Sequence, residues 1–341
     1  MPAITVDEIN KTQLFVAKGV AITSHKFQDF GPNKSKYWKI FNVYTSYLNP
    51  FLLCKNILLA EYYLCKSILW ADIIIWQWDA RIFLPHYWFL KLTGKSIYIE
   101  WVGSDIRKPK LLSNINIFYK EQFELGNYTY LYESNFRSWF RQLKFKFLNA
   151  IPLLCPEMTL YLDSKLFPIY IKTMQRINTA KYIVNSTEIK RNIVVHAPSS
   201  IGAKGTLQIR NIINKLNKVV DFEYIEVTNK TRKETLEIIS TCSIFLDQFI
   251  LGSYGMAACE AMAYGKPVFC YLIKEVEELL PEGCPIVNCN LTTLETNLLL
   301  YLQNTELRKQ KGIESRKYIE EFHDSNQVTN KLLKEFIKNK Y

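Results

Sequence analysis

Short, unbroken runs of β-branched and aromatic residues recur along this chain with helix-length segments between them, and no other feature constrains its fold as tightly. A strand that is apolar at every position must be covered on both faces, as in parallel sheets flanked by helices. The first half has two such runs, Asp72-Ile-Ile-Ile-Trp76 and Ser96-Ile-Tyr-Ile-Glu-Trp-Val102. The second half has four: Asn192-Ile-Val-Val-His196, Phe222 to Val227, Ser243-Ile-Phe-Leu-Asp247 and Pro267-Val-Phe-Cys-Tyr271. At 341 residues the chain is too long for one ordinary core. The sequence therefore predicts two α/β domains of roughly 150 residues each.

Ser164 to Thr187 has the mixed character of an interdomain connection, which places a hinge near residue 178. The expected division is 1–177 and 178–324. The helical stretch Leu307 to Lys340 is longer than the second domain needs, so residues from about 325 to 341 are expected to cross back onto the first. Ile57 to Trp78 is the most apolar long stretch. Glu61, Lys66 and Asp72 interrupt it, so it reads as a buried helix followed by a strand and not as a membrane span.

The 43 basic and 32 acidic side chains leave a net charge of +11, which favours an anionic partner without naming it. The eight cysteines form no CxxC pair and have no histidine at metal-ligand spacing, as expected of reduced thiols in a cytoplasmic protein. Met1 to Lys18 lacks the apolar run of a signal peptide. There is no Asp-x-Asp within an acidic cluster, so no obligatory metal or other cofactor is expected. Nor does a nucleic-acid motif accompany the charge.

Two turns are written for an anionic ligand. In Val195-His-Ala-Pro-Ser-Ser-Ile-Gly-Ala-Lys-Gly-Thr206 a strand runs into small residues and then a helix near Thr206. Backbone amides at that helix start, with the charge of Lys204, suit a pyrophosphate, although an ordinary strand-to-helix turn has the same spacing. In Asp247 to Val268 a strand ends at Asp247, a loop carries Gly252 and Gly255, and a helix beginning near Tyr254 carries Glu260. Its amides could meet phosphate and its carboxylate a ribose diol. His196 ends a strand beside the first turn and admits either a ligand contact or a core role.

With these residues in view, the second half resembles the donor-binding domain of GT-B glycosyltransferases similar to family 4, the group 1 enzymes. The resemblance lies in His196 to Ser199 with Lys204 to Thr206, and in the ordered series from Asp247 to Val268. The first half matches through Gly94-Lys95 and Gly103-Ser-Asp-Ile-Arg107, and Glu321-Phe-His-Asp324 resembles the segment before a returning C-terminal helix. The resemblance implies two Rossmann-like domains facing across a cleft, with the C-terminal helix back on the first. It implies that Lys204 binds the donor diphosphate, that Glu260 holds the ribose or sugar, and that amides from Ser253 to Gly255 meet the phosphates. It also implies that Gly103 to Arg107 face the donor. The donor set so carried over is Gly103, Ser104, Arg107, His196, Ser199, Lys204, Gly205, Asp247, Gly252, Ser253, Tyr254, Gly255 and Glu260.

Three positions depart from the family. Ile201 stands where many relatives have an arginine, Gly252 where a first glutamate would pair with Glu260, and Val102 where a histidine is frequent. Asp105 is the one carboxylate of the first-half motif, a base if one is needed or else a turn cap pairing with Arg107. By analogy the reaction retains configuration and moves a hexose from a nucleotide-sugar to a glycan or lipid-linked acceptor in surface polysaccharide, lipopolysaccharide or glycolipid assembly. The alternatives are a silent nucleotide-sugar-binding partner and an epimerase of the same fold. Finally, Phe136 to Phe147 sets Phe136, Trp139, Phe140, Leu143 and Phe147 on one helical face, with Arg137, Arg141 and Lys144 beside or opposite. Such a helix either lies at the anionic inner face of a membrane or packs its aromatics on the first sheet.

Overall fold

A computed structural model of the chain describes residues 2–23, 37–42, 49–78, 84–128, 133–184 and 191–338. The strands are β1 (Gly19–Thr23), β2 (Trp38–Asn42), β3 (Ile73–Gln77), β4 (Ser96–Trp101), β5 (Ile151–Leu154), β6 (Ile171–Lys172), β7 (Ile193–His196), β8 (Glu223–Glu226), β9 (Ile244–Leu246), β10 (Val268–Cys270) and β11 (Val287–Asn288). Before β7 come helices α1 (Pro2–Lys11), α2 (Pro50–Trp70), α3 (Leu84–Thr93), α4 (Pro109–Ile115), α5 (Ile117–Glu124), α6 (Asn135–Phe147) and α7 (Pro156–Thr159). After it come α8 (Ile201–Lys204), α9 (Thr206–Leu216), α10 (Arg232–Thr241), α11 (Met256–Ala263), α12 (Lys274–Glu277), α13 (Leu294–Gln303), α14 (Thr305–Tyr318) and α15 (Ser325–Lys338).

The strands form a parallel pair, β1-β2, and two parallel sheets in the orders β3-β4-β5-β6 and β11-β10-β9-β7-β8. Both sheets are covered on both faces, as continuous apolar runs require. In the second, Val195, Phe245 and Val268 point into one core, and Val194, Leu246 and Phe269 into the other. In the first, Ile97, Ile99 and Trp101 face the helices that follow the strands, and Tyr98 and Leu153 face the opposite way. That opposite face is covered by α15, whose Leu332, Leu333 and Phe336 join Ile9 of α1 there. Each such side chain contributes about 1.5–3 kcal/mol of apolar burial, so the returning helix is a structural layer of the first sheet.

The chain reaches α15 through a break. The predicted single helix from Leu307 is two, separated by a π-helical turn at Ile319–His323. At the break Ile177 pairs with Asp324 in a parallel bridge, so the two passages between the sheets run side by side. The predicted strands appear within a residue or so of their expected ends; β1, β2, β6 and β11 are not among those predicted, and neither is β5. Its Pro152 removes a ladder donor and hides an internal strand from a pattern reading. The helix expected to be buried after Ile57 is largely exposed: Ala60 and Ile68 are the buried residues of α2. No helix among the described residues is long and apolar enough to cross a membrane.

Candidate functional site

In the second sheet β7 comes first in the chain, β8 lies on one side of it and β9 on the other, so the winding direction reverses between β7 and β9. At such a reversal the following loops part, opening a crevice beyond the carboxyl ends of the strands. His196 and Leu246 are register partners at those ends, and the two predicted turns are the loops that follow them.

The turns meet at Asp247. Its Oδ1 lies 2.6 Å from the Lys204 ammonium and its Oδ2 accepts the Gly255 amide at 2.7 Å, with both side chains almost fully buried. The aspartate thus fixes the lysine against the start of α11, where unsatisfied amides give the helix its positive pole. Gly255 has no room to spare, since a Cβ there would stand 3.3 Å from Lys204 Nζ. Gly205, at φ +76°, lets the single turn of α8 pass directly into α9. Ser199 is exposed in the loop ahead of α8.

Glu260 lies further along α11, buried and held by Arg232 of α10 and by the Tyr182 hydroxyl at 3.4 Å. Both bonds end on Oε1. Arg232 was missed in the sequence. The spacing Thr231-x-x-Glu234 is a capping box, and it would have placed that arginine at a helix start.

The first-half turn joins the site through an intermediary. Asp105 accepts the amides of Gly103 at 2.8 Å and Val102 at 3.2 Å, capping its own turn. Burial raises its pKa to about 6 against those hydrogen bonds. Arg107 forms its ion pair with Glu133, so of the alternative in which Asp105 caps the turn and pairs with Arg107 the structure shows the cap. Arg107 also donates to the Tyr128 hydroxyl at 3.2 Å. Tyr128 packs with Ala203, Ile250 and Ile273, and the preceding carbonyl of Asn127 sits where a Cβ on Gly202 would fall, 1.9 Å away. Asn116 closes the same seam by donating to the Ile250 carbonyl at 2.8 Å.

No family model and no curated protein sequence matches the chain. Solved structures do. Sucrose-phosphate synthase from Thermosynechococcus elongatus superposes with a TM-score of 0.62 at 10% identity, over 98% of this chain and 91% of that one. HepE of Anabaena, crystallised with UDP and glucose, gives 0.60 at 10% identity over 98% and 94%. WaaG, a glycosyltransferase involved in lipopolysaccharide biosynthesis, gives 0.57 at 11% identity over 96% and 93%. The chain has the GT-B fold. The likeness spans nearly the full length of each protein.

Within this GT-B chain two of the candidate residues face inward. His196 is fully buried, and its Nδ1 meets the Leu246 carbonyl at 2.9 Å. A carbonyl only accepts, so Nδ1 carries the proton and Nε2 accepts the Thr206 hydroxyl at 3.0 Å. Burial lowers this imidazole to about 4. Tyr254 points from the loop between β9 and α11 toward the passage between sheets, its hydroxyl 3.0 Å from His323 Nε2. Ser253 uses its carbonyl to take the Gln248 amide and the Cys270 thiol.

Two of the departures have a visible setting. Gly252 is at φ +75°, and a Cβ there would lie 2.6 Å from Ile273 Cγ2 and 2.9 Å from Asn116 Nδ2, so a glutamate would collide with the seam. Ile201 is 44% exposed at the start of α8. The Ser104 carbonyl accepts from Arg141 at 3.3 Å, which ties the first-half turn to α6.

Proposed function

We propose that this chain is a glycosyltransferase (EC 2.4, hexosyltransferase type) that moves a sugar from a nucleotide-sugar at the Lys204 crevice to a glycan or lipid-linked acceptor on the first-half side. The observation that carries this is the convergence of Lys204, Asp247 and the Gly255 amide at the reversal point of the second sheet. Breaking a glycosyl-phosphate bond requires stabilisation of the departing diphosphate, which an oriented ammonium and helix-terminal amides supply. Asp247 takes one of three ammonium protons, and the remaining donors are available to phosphate oxygens. Glu260 offers Oε2 to a ribose diol while Arg232 and Tyr182 hold Oε1. That HepE was crystallised with UDP-glucose supports a uridine diphosphate sugar as the first donor to try.

In this reading Asp105 is a positioning residue that holds the Gly103 turn, and the reaction retains configuration without an obligatory divalent ion. The enzyme works in the cytoplasm at the inner face of a membrane, in polysaccharide, lipopolysaccharide or glycolipid assembly. The division into domains at residues 177 and 324 is part of the same reading. A second reading, a silent nucleotide-sugar-binding partner, is favoured by one observation: the packed Gly252 leaves Glu260 without a second carboxylate on its loop.

The test is nucleoside diphosphate release from a panel of nucleotide-sugars, with and without chelator, by wild type, Lys204→Ala and Glu260→Ala. Release from one donor that survives chelation and is lost in both variants is expected. Tight diphosphate binding with no turnover, even with extracts containing acceptors, would favour the silent partner.

A further inference from the structure

We propose that α3 and α6 together form a docking face for an anionic lipid bilayer. The sequence left open whether the aromatic face of α6 packs inward. In the structure the buried residues of α6 are Ser138, Gln142 and Phe145, on the opposite side. Phe136 is 69% exposed, and Trp139, Phe140, Leu143 and Phe147 are exposed with it. The patch continues onto α3, where Trp88 is 60% and Leu92 is 83% exposed, and the Trp88 ring meets Phe147 edge-on at 5.1 Å. Single exposed apolar side chains are ordinary, whereas a contiguous aromatic patch of this kind marks a contact surface.

Charge selects the occupant. The sequences of α3 and α6 contain Lys91, Arg137, Arg141, Lys144 and Lys146 and no carboxylate. Lys91 lies 5.3 Å from the Phe147 ring and Lys144 lies 5.0 Å from that of Phe140, so cations interleave with the aromatics. A second copy of this chain would bring like charge onto like charge. An anionic bilayer instead accepts aromatic rings at the headgroup boundary and cations at the phosphates. The inner side of α6 holds the first-half turn, through Ser138 to the Ile106 carbonyl and Arg141 to the Asp105 carbonyl at 2.8 Å. Docking on the outer side would thus set the acceptor side of the cleft beside the membrane. This inference deepens the lipid-linked acceptor reading and rests on it for its purpose, but its test needs no catalysis.

The experiment is co-sedimentation of the full chain with vesicles of pure phosphatidylcholine or of phosphatidylcholine and phosphatidylglycerol in equal parts, at low and high salt. Wild type is expected to sediment with the anionic vesicles alone, less so at high salt. Phe136→Ser/Phe140→Ser and Lys144→Gln/Lys146→Gln should each lower the partition coefficient by roughly tenfold or more. Circular dichroism checks that both fold, and Ile313→Ser, at an exposed site on α14, should bind as wild type. Wild type left in the supernatant with both vesicles would overturn the proposal. So would a lipid-free dimer that Phe136→Ser/Phe140→Ser converts to monomer, since the face would then belong to a protein partner. Diphosphate release by a protein that ignores vesicles would sink this proposal and leave the transferase reading standing.

Discussion

Glu157 Oε1 accepts a hydrogen bond from Gln175 Nε2 at 3.0 Å, just ahead of the point where the chain leaves the first sheet. The Gln175 carbonyl in turn accepts from His323 Nδ1 at 3.0 Å, and Ile177 donates its amide to the His323 carbonyl at 2.8 Å. The two passages between the sheets are therefore joined by a buried polar chain that contains a carboxyl group.

That carboxyl gives a pH prediction. Burial raises Glu157 from 4.5 to about 7 in the folded chain. A raised folded pKa means that the native state binds the extra proton, so its contribution is complete below pH 4.5 and is lost as pH rises to about 7. Glu157→Gln cannot ionise. Its stability relative to wild type should climb by on the order of 3 kcal/mol between those limits and then level off. His196 and His323, both lowered to about 4, act in the opposite sense and lose stability as pH falls from 6.5, but they are common to both proteins and cancel. Denaturant melts at several pH values measure the gap, and a constant gap would refute the assignment.

Lys204→Ala should weaken nucleoside diphosphate binding by about tenfold to a hundredfold, the range of a lost charged hydrogen bond. It should also cost about 3 kcal/mol of stability, because Asp247 is left buried without its cation, with the Gly255 amide and the Cys270 thiol as neutral donors. The double variant Lys204→Met/Asp247→Asn removes both charges. It is expected to regain most of the stability and none of the binding, as read by melting and by calorimetry. Recovery of binding in the double variant would show that the ammonium serves the fold and not the ligand.

What the sequence disclosed follows from how local each signal was. The six predicted strands and both turns were legible because continuous apolar runs and glycine-rich turns are written in adjacent residues. Arg232 on Glu260, Glu133 on Arg107 and Tyr128 against the Ala203 turn were not, because each pairing joins elements 28, 26 and 75 residues apart with no motif between them. Pro152 concealed β5 for the opposite reason: its local signal is false in the tertiary setting, where the strand lies between β4 and β6. The orientation of α6 was undecidable from periodicity, which finds an apolar face without saying whether protein or lipid will cover it.

Gly252→Ala combines two faults. The backbone stands at φ +75°, which an alanine adopts with strain, and the new methyl would press on Ile273 Cγ2 at 2.6 Å. A loss of about 2 kcal/mol is expected. Adding Ile273→Ala should return the packing part of that loss relative to Ile273→Ala alone and leave the backbone part. A chemical-denaturation cycle over the four proteins separates the two. Full recovery in that cycle would mean that the turn tolerates a side chain and that the missing glutamate has another cause.

Gly202→Ala tests the seam between the halves without touching the Lys204 ammonium. The added methyl would fall 1.9 Å from the Asn127 carbonyl oxygen, a backbone atom that cannot rotate away, so the Asn127–Tyr128 segment must lift from the turn that carries Gly202. Lifting it uncovers the small core of Leu112, Tyr119, Tyr128, Ala203 and Ile250 that joins the halves. Amide exchange in α4 and α5 should then quicken by about tenfold or more, the equivalent of one to two kcal/mol of local opening. Exchange in β7 and β9 should be unchanged, since Val194, Val195, Ile244 and Phe245 are buried in the two cores of that sheet and are not members of the seam cluster. Ile201→Ala, at the exposed neighbouring position, should shift neither. Equal quickening throughout the second sheet would mean that the substitution damages the domain and not its contact with the first.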